Sequence, residues 1–158
     1  MRMAQKWIER TEGIVRADYA YWVGKYMDKF YDGLEKQKIV GIKCPSCKKV
    51  YVPPRKVCGD CATTIPLEGQ WVELGTRGTL LNFTATKYTV SERRKKKNEK
   101  MTIIGLIQID GSNTAMIYPI LDAQEQGMKI GMKVEVVWNK KVQGTPNDIK
   151  GFKVAGGA

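Results

Sequence analysis

Two closely spaced cysteine pairs, one aromatic stretch with helical spacing and five β-rich segments predict a mainly β protein with an N-terminal helix, a four-Cys ribbon and a small barrel of five strands. At 158 residues the chain has the size of one domain or of two small ones. The pattern divides it into an N-terminal helical docking segment, residues 1–38, a ribbon, residues 39–66, and a barrel domain, residues 67–158.

Residues 18–37 place Tyr19, Trp22, Val23, Tyr26, Phe30 and Leu34 three and four apart, on one stripe of a helix that Asp18 would cap. Tyr21, Met27 and Tyr31 lie off that stripe. The helix therefore carries more large apolar surface than one packing face needs, although Gly24 and Gly33 weaken it. The surplus either wraps into the chain's own body or docks on another subunit, since aromatic residues are enriched at interfaces. Upstream, Trp7, Ile8, Ile14 and Val15 are too weakly periodic to assign.

Ile39–Lys43 and Val50–Val52 read as short strands flanking the first cysteine pair, and Pro53-Pro54 ends the second strand because neither ring carries an N–H. The turn-rich module closes near Pro66. Strands are then expected over 78–90, 102–110, 113–121, 133–138 and 149–154. Asp110-Gly111 followed by Ser112 is a hairpin signal, and 122–132 holds a short helix or turn. Five strands with a break between the third and fourth suit a closed barrel of the OB type.

The cysteines fall as Cys44-x2-Cys47-x10-Cys58-x2-Cys61, two tight turns that each offer two sulfurs to one ion. Four thiolates complete the tetrahedral shell of Zn²⁺, which makes such a site structural. Fe²⁺ in the same S₄ set is the chemical rival, and two disulfides are a third reading. Lys48 and Ala62 stand after the second Cys of each turn, where Gly is frequent for its left-handed conformation. Lys43, Lys48, Lys49 and Lys56 offset the negative charge of four thiolates. A module this small depends on metal for much of its folding free energy.

Lys and Arg number 27 against 16 Asp and Glu, a net charge of +11 that favours an anionic partner. Histidine is absent, which removes the commonest general acid or base. If the four cysteines hold a metal, no thiol remains as a nucleophile. No apolar run approaches the roughly 20 residues of a membrane span, and the first ten residues lack the apolar core of a secretory signal, so a cytoplasmic location with reduced thiols is expected. Residues 91–100 form a basic loop in which Arg93, Arg94, Lys95, Lys96 and Lys97 are consecutive. It is a solvated tip, a site for the phosphates of a ligand such as coenzyme A, or a nucleic-acid contact beside Phe83 and Tyr88. Strand alternation separates Phe83 from Tyr88, which counts against one stacking platform.

The aromatic helix, the four-Cys ribbon with Pro53-Pro54-Arg55, the run Trp71-Val72-Glu73-Leu74, Gly78-Thr79 and Ile130-Gly131-Met132 together resemble the acyl-CoA-associated family that joins a rubredoxin-like zinc ribbon to an OB fold, long classed as a domain of unknown function. The resemblance spans about residues 18–154. It implies Cys44, Cys47, Cys58 and Cys61 as zinc ligands and a non-catalytic accessory subunit of a hetero-oligomer. The catalytic chain would be a thiolase-family enzyme that handles CoA thioesters. The pattern is also similar to the small subunit of the thiolase system that completes anaerobic toluene breakdown on a benzoylsuccinyl-CoA-type substrate. On this reading the helix docks through Tyr21, Trp22, Tyr26, Phe30 and Tyr31, and the run Arg93–Lys97 helps seat CoA; the cationic run is not part of the family pattern. The rival reading is a single-stranded nucleic-acid-binding zinc-ribbon and OB protein.

Overall fold

The computed structural model describes residues 17, 20–86 and 101–156. The Asp18 cap, Tyr19, the upstream Trp7, Ile8, Ile14 and Val15, the expected strand end at 87–90 with Tyr88, and the cationic run Arg93–Lys97 lie outside the described residues.

Helix α1 runs from Lys25 to Glu35, shorter than the expected 18–37. Its start is set by Gly24, whose φ of 89° and ψ of 157° lie outside the helical region and leave the preceding Tyr21, Trp22 and Val23 in an irregular arm. Its end is a Schellman turn: the Lys38 N–H bonds the Gly33 carbonyl and the Gln37 N–H bonds the Leu34 carbonyl, with Gln37 at φ 56°. The inward face carries Phe30, Gly33 and Leu34. At Gly33 a Cβ would come within 3.0 Å of Val40, so the missing side chain lets the helix approach the first strand.

Strand β1 (Ile39–Lys43) lies at the centre of a three-stranded antiparallel sheet, between β2 (Val50–Tyr51) and β3 (Trp71–Leu74). Val52 is not part of the ladder; its N–H bonds the Thr114 hydroxyl instead. Strand β3 lies beyond the expected ribbon limit at 66, yet pairs with β1 in the register Ile39 to Leu74 through Ile42 to Trp71. The ribbon sheet thus reaches across the linker to take a strand from the far side.

Strands β4 (Arg77–Thr86), β5 (Thr102–Ile109), β6 (Ala115–Ile120), β7 (Lys133–Trp138) and β8 (Ile149–Val154) close into a barrel in the order β4-β5-β6-β8-β7. The β4–β7 pairing shuts it, and β6 meets β8 in parallel at Ile120 and Phe152. This is the expected OB architecture. Gly111 makes the β5–β6 turn with φ 89°, and a 3₁₀ turn at Glu125–Gly127 occupies the break before β7. Inward residues Leu80, Ile103, Ile107, Ile109, Val134 and Phe152 fill the barrel. Phe30 and Leu34 of α1, with Ile39 and Val52 of the ribbon, belong to the same buried cluster, so helix and ribbon stopper one end of the barrel. The ribbon keeps a smaller core of its own, Ile42, Cys44, Tyr51, Cys58 and Ile65. No described helix is long and apolar enough to cross a membrane.

Candidate metal centre

Both cysteine turns are built alike. The Cys44 N–H bonds the Lys49 carbonyl and the Lys48 N–H returns to the Cys44 carbonyl; the Cys58 N–H bonds the Thr63 carbonyl and the Ala62 N–H returns to the Cys58 carbonyl. Closing each loop puts Lys48 at φ 64° and Ala62 at φ 54°. The left-handed conformation that glycine would take freely is therefore present without glycine, at a cost of roughly 1–2 kcal/mol per site.

The turns face each other. All four Sγ atoms lie within 4.8 Å of one another, with Cys44 to Cys61 at 3.6 Å and Cys47 to Cys58 at 3.4 Å. A disulfide needs about 2.05 Å. Four sulfurs at about 2.3 Å from a tetrahedral ion sit about 3.8 Å apart, close to the observed spacing. Cys44 and Cys58 are buried, while Cys47 and Cys61 lie toward solvent.

The protonation balance of the cluster points the same way. The Thr63 hydroxyl and N–H pull Cys61 down to about 5, and the Tyr51 hydroxyl, 3.0 Å from the sulfur, lowers Cys58. Cys47 accepts from the Lys49 N–H, which lowers it, but desolvation and the three neighbouring thiols outweigh that bond and push it up to about 12. Four sulfurs gathered so closely cannot all carry negative charge without a cation among them. A divalent, thiophilic, tetrahedral ion fits this donor set, and a structural zinc held by Cys44, Cys47, Cys58 and Cys61 would cross-link the two turns.

A supporting network surrounds the sulfurs, and the spacing of the cysteines did not show it. The Tyr51 hydroxyl lies 2.7 Å from the Asp60 carboxylate and 3.0 Å from the Cys58 sulfur, its single proton serving one of them at a time, and it accepts from the Gly59 N–H at 3.2 Å. Lys49 pairs with Asp60, which Lys49 and Tyr51 together hold below the usual carboxylate range. The Arg55 guanidinium lies 4.8 Å from the centre of the Tyr51 ring. Of the lysines expected to offset charge, Lys49 is engaged this way, and Lys48 Nζ donates to the Pro45 carbonyl at 2.6 Å. The local signal for the network is an acid inside the second Cys turn, Asp60.

The residues expected at a docking surface separate into three environments. Phe30, 2% exposed, is spent in the chain's own core and cannot meet a partner, because the helix presses that face onto the barrel end. Tyr26 packs on the ribbon core and donates to the Ile65 carbonyl at 2.6 Å; Tyr31 is half-buried, 5.9 Å from the Phe30 ring. Tyr21 and Trp22 stand out at 75% and 72% exposure. The indole N–H of Trp22 donates to Asp28 at 2.9 Å, which pins the arm to the first helical turn. Phe83 is half-buried and packs against the barrel core. A cleft of about 640 Å³ opens between residues 101–103 and 119–126. Its lining includes Asp122 and Glu125 but no lysine or arginine, so no described residue there answers a phosphate.

Comparison with known proteins agrees with this architecture. Residues 32–65 match the rubredoxin-like zinc ribbon domain of ChsH2, and residues 71–139 match the ChsH2 C-terminal OB-fold domain. A DUF35 domain-containing scaffold protein of Methanocaldococcus jannaschii is 26% identical over 108 residues, covering 67% of this chain and 71% of that protein. Among solved structures, an Ltp2-ChsH2(DUF35) aldolase superposes with a TM-score of 0.58 at 17% identity, over 81% of this chain and 93% of that one. A Sulfolobus solfataricus protein of unknown function from the DUF35 family superposes with a TM-score of 0.57 at 25% identity, over 84% and 83%. With both domains matched in order and the four sulfurs converging on one point, the chain belongs to the ChsH2/DUF35 family of zinc-ribbon and OB-fold proteins.

Proposed function

We propose that this chain is a non-catalytic accessory subunit of a hetero-oligomeric complex whose catalytic partner is a thiolase-family enzyme acting on a CoA thioester. The observation that carries the reading is the convergence of all four cysteines on one metal site in a chain without histidine. Thiolase chemistry uses an activated Cys nucleophile with acid–base groups, and with its four cysteines on the metal this chain has no spare Cys and no His. The scaffold name of the archaeal relative and the pairing of ChsH2 with Ltp2 in the aldolase support a role in assembly. The exposed Tyr21 and Trp22 are the residues suited to reach the partner, because large aromatic anchors commonly dominate such contacts. The ribbon would hold helix and barrel in one rigid frame, and the subunit would contribute positioning of the acyl-CoA, with the carbon–carbon bond made or broken on the partner. The cationic run Arg93–Lys97 is assigned to the CoA phosphates, and the specific substrate that the sequence resemblance names is of the benzoylsuccinyl-CoA type.

Co-expression of this chain with a candidate thiolase-family enzyme from the same source tests the proposal. The expected result is a stable complex whose thiolase turnover requires both chains. Full turnover by this chain alone, or an unchanged rate when it is omitted, overturns it.

A further inference from the structure

At the β7–β8 end of the barrel a cleft of about 500 Å³ is lined by Val137, Trp138, Asn139, Lys140, Lys141 and Lys150. Three of these six residues are lysines and none is acidic. Among the described residues, the ion pairs are Lys38 with Glu73, Lys49 with Asp60 and Lys133 with Asp110, so Lys140, Lys141 and Lys150 have no carboxylate partner. The one acid in the connecting loop, Asp148, is buried and already saturated. Its carboxylate accepts the backbone N–H groups of Gln143, Gly144 and Thr145 at 3.0, 2.8 and 3.2 Å and the Thr145 hydroxyl at 3.1 Å.

The same bonds make the cleft preformed. With the Asn139 N–H on the Asp148 carbonyl at 2.8 Å, they tie both ends of the segment that carries Lys140 and Lys141. Lys150 comes from the facing strand, next to Ile149, which pairs with Trp138 across the ladder. Trp138 is half-buried against the barrel core and contributes its remaining surface to the wall. Ammonium groups with no carboxylate partner among the described residues, carried on a tied loop, call for a ligand of two or three negative charges. A tryptophan in the same lining suits a flat ring, and a cleft of this size fits a small molecule better than a protein surface.

We infer that the Trp138–Lys140–Lys141–Lys150 cleft binds the nucleotide part of a phosphorylated ligand, the base on Trp138 and the phosphates on the three lysines. The inference does not depend on the thiolase reading; where the ligand is CoA, it places the adenosine phosphates in this cleft in place of the Arg93–Lys97 run. The chemistry is shared by free nucleoside diphosphates and by the adenosine phosphate end of CoA.

Calorimetric titration of the full zinc-loaded chain with ADP, CoA, pantetheine and pyrophosphate tests it. ADP and CoA are expected to bind at low salt, and pantetheine is not. The triple substitution Lys140→Glu, Lys141→Glu, Lys150→Glu changes only exposed side chains and is expected to weaken ADP and CoA at least about tenfold, about 1.4 kcal/mol. Trp138→Phe keeps a ring and the fold, and Trp138→Leu is expected to weaken ADP about tenfold while leaving pyrophosphate unchanged. CoA binding at least about tenfold tighter than ADP assigns the cleft to CoA, and equal affinities assign it to free nucleotides. Wild-type affinity in the triple variant, or no ADP or CoA binding at about 1 mM, overturns the inference. So does an oligonucleotide that binds far more tightly than ADP and is released by the same substitutions. Complex formation with the thiolase is measured separately, so failure here and failure of that reading are distinguishable.

Discussion

Removing the metal is expected to melt the two cysteine turns and leave the barrel folded. Besides Cys44 and Cys58, the ribbon's own core consists of Ile42, Tyr51 and Ile65. Three such side chains contribute about 5–9 kcal/mol at about 1.5–3 kcal/mol each. A structural Zn²⁺ supplies about 10–16 kcal/mol to a small finger, so the ion outweighs the packing and its loss leaves the turns without adequate support. The barrel end of the ribbon is held differently. Val50 exchanges hydrogen bonds with Asn113, its N–H to the side-chain amide oxygen and its carbonyl from the backbone N–H, both at 2.8 Å. Val52 does the same with the Thr114 hydroxyl, and Ile39 and Val52 sit in the large cluster. Hydrogen exchange with and without a strong chelator reads the boundary. Protection at the amides of Cys44, Lys48, Cys58 and Ala62 should fall at least about thousandfold, about 4 kcal/mol, while that in β5 changes little. Equal protection of the turn amides with and without metal would refute the reasoning.

Four further outcomes follow from single side chains. Leu34→Ala empties a fully buried site where helix, ribbon and barrel meet and should cost about 2–5 kcal/mol in denaturant unfolding, with the loss shared by probes in all three parts. Gly78→Ala would bring a Cβ within 2.6 Å of the Gln108 carbonyl oxygen, a backbone atom that cannot swing aside, and should cost about 1–3 kcal/mol by the same assay. Burial raises the Asp148 carboxyl, but its bonds from Gln143, Thr145 and Gly144 outweigh that and hold it below the usual range. Its stabilising contribution is therefore fully present above about pH 4, the unfolded value, and lost as pH falls through the lower folded value; Asp148→Asn should flatten that acid limb of the stability profile. Trp22→Ala changes a side chain that is 72% exposed, so unfolding should shift by less than about 0.5 kcal/mol while assembly with the catalytic partner weakens; an unchanged complex argues against the aromatic arm as the contact.

Much of the barrel could be read from the chain because its strands alternate inward and outward residues at short range. In β5, Ile103, Ile107 and Ile109 turn inward around the outward Leu106, and the alternation marks the strand without knowledge of its neighbours. The cysteine spacing likewise carries its own meaning, since a two-residue gap at each turn leaves few chemistries for the sulfurs. The helix was harder. The aromatic stripe over residues 18–37 has the right period on both sides of Gly24, and periodicity does not report that this glycine adopts a positive φ and stops the helix there. Phe30 and Trp22 look equivalent on that stripe, yet one is core and the other is exposed.

From its amino acids alone this protein has its order of elements, the paired spacing of its four cysteines and its lack of histidine, because each of these is a local or compositional property. Only the folded chain decides that Trp71–Leu74 joins the ribbon sheet, that Phe30 and Leu34 stopper the barrel, and that Asp148 ties down a lysine-bearing loop beside Trp138. Those outcomes depend on pairing between residues far apart in sequence. The free energy of such contacts comes from surfaces that meet only after the chain has closed on itself, and no window along the sequence contains both partners.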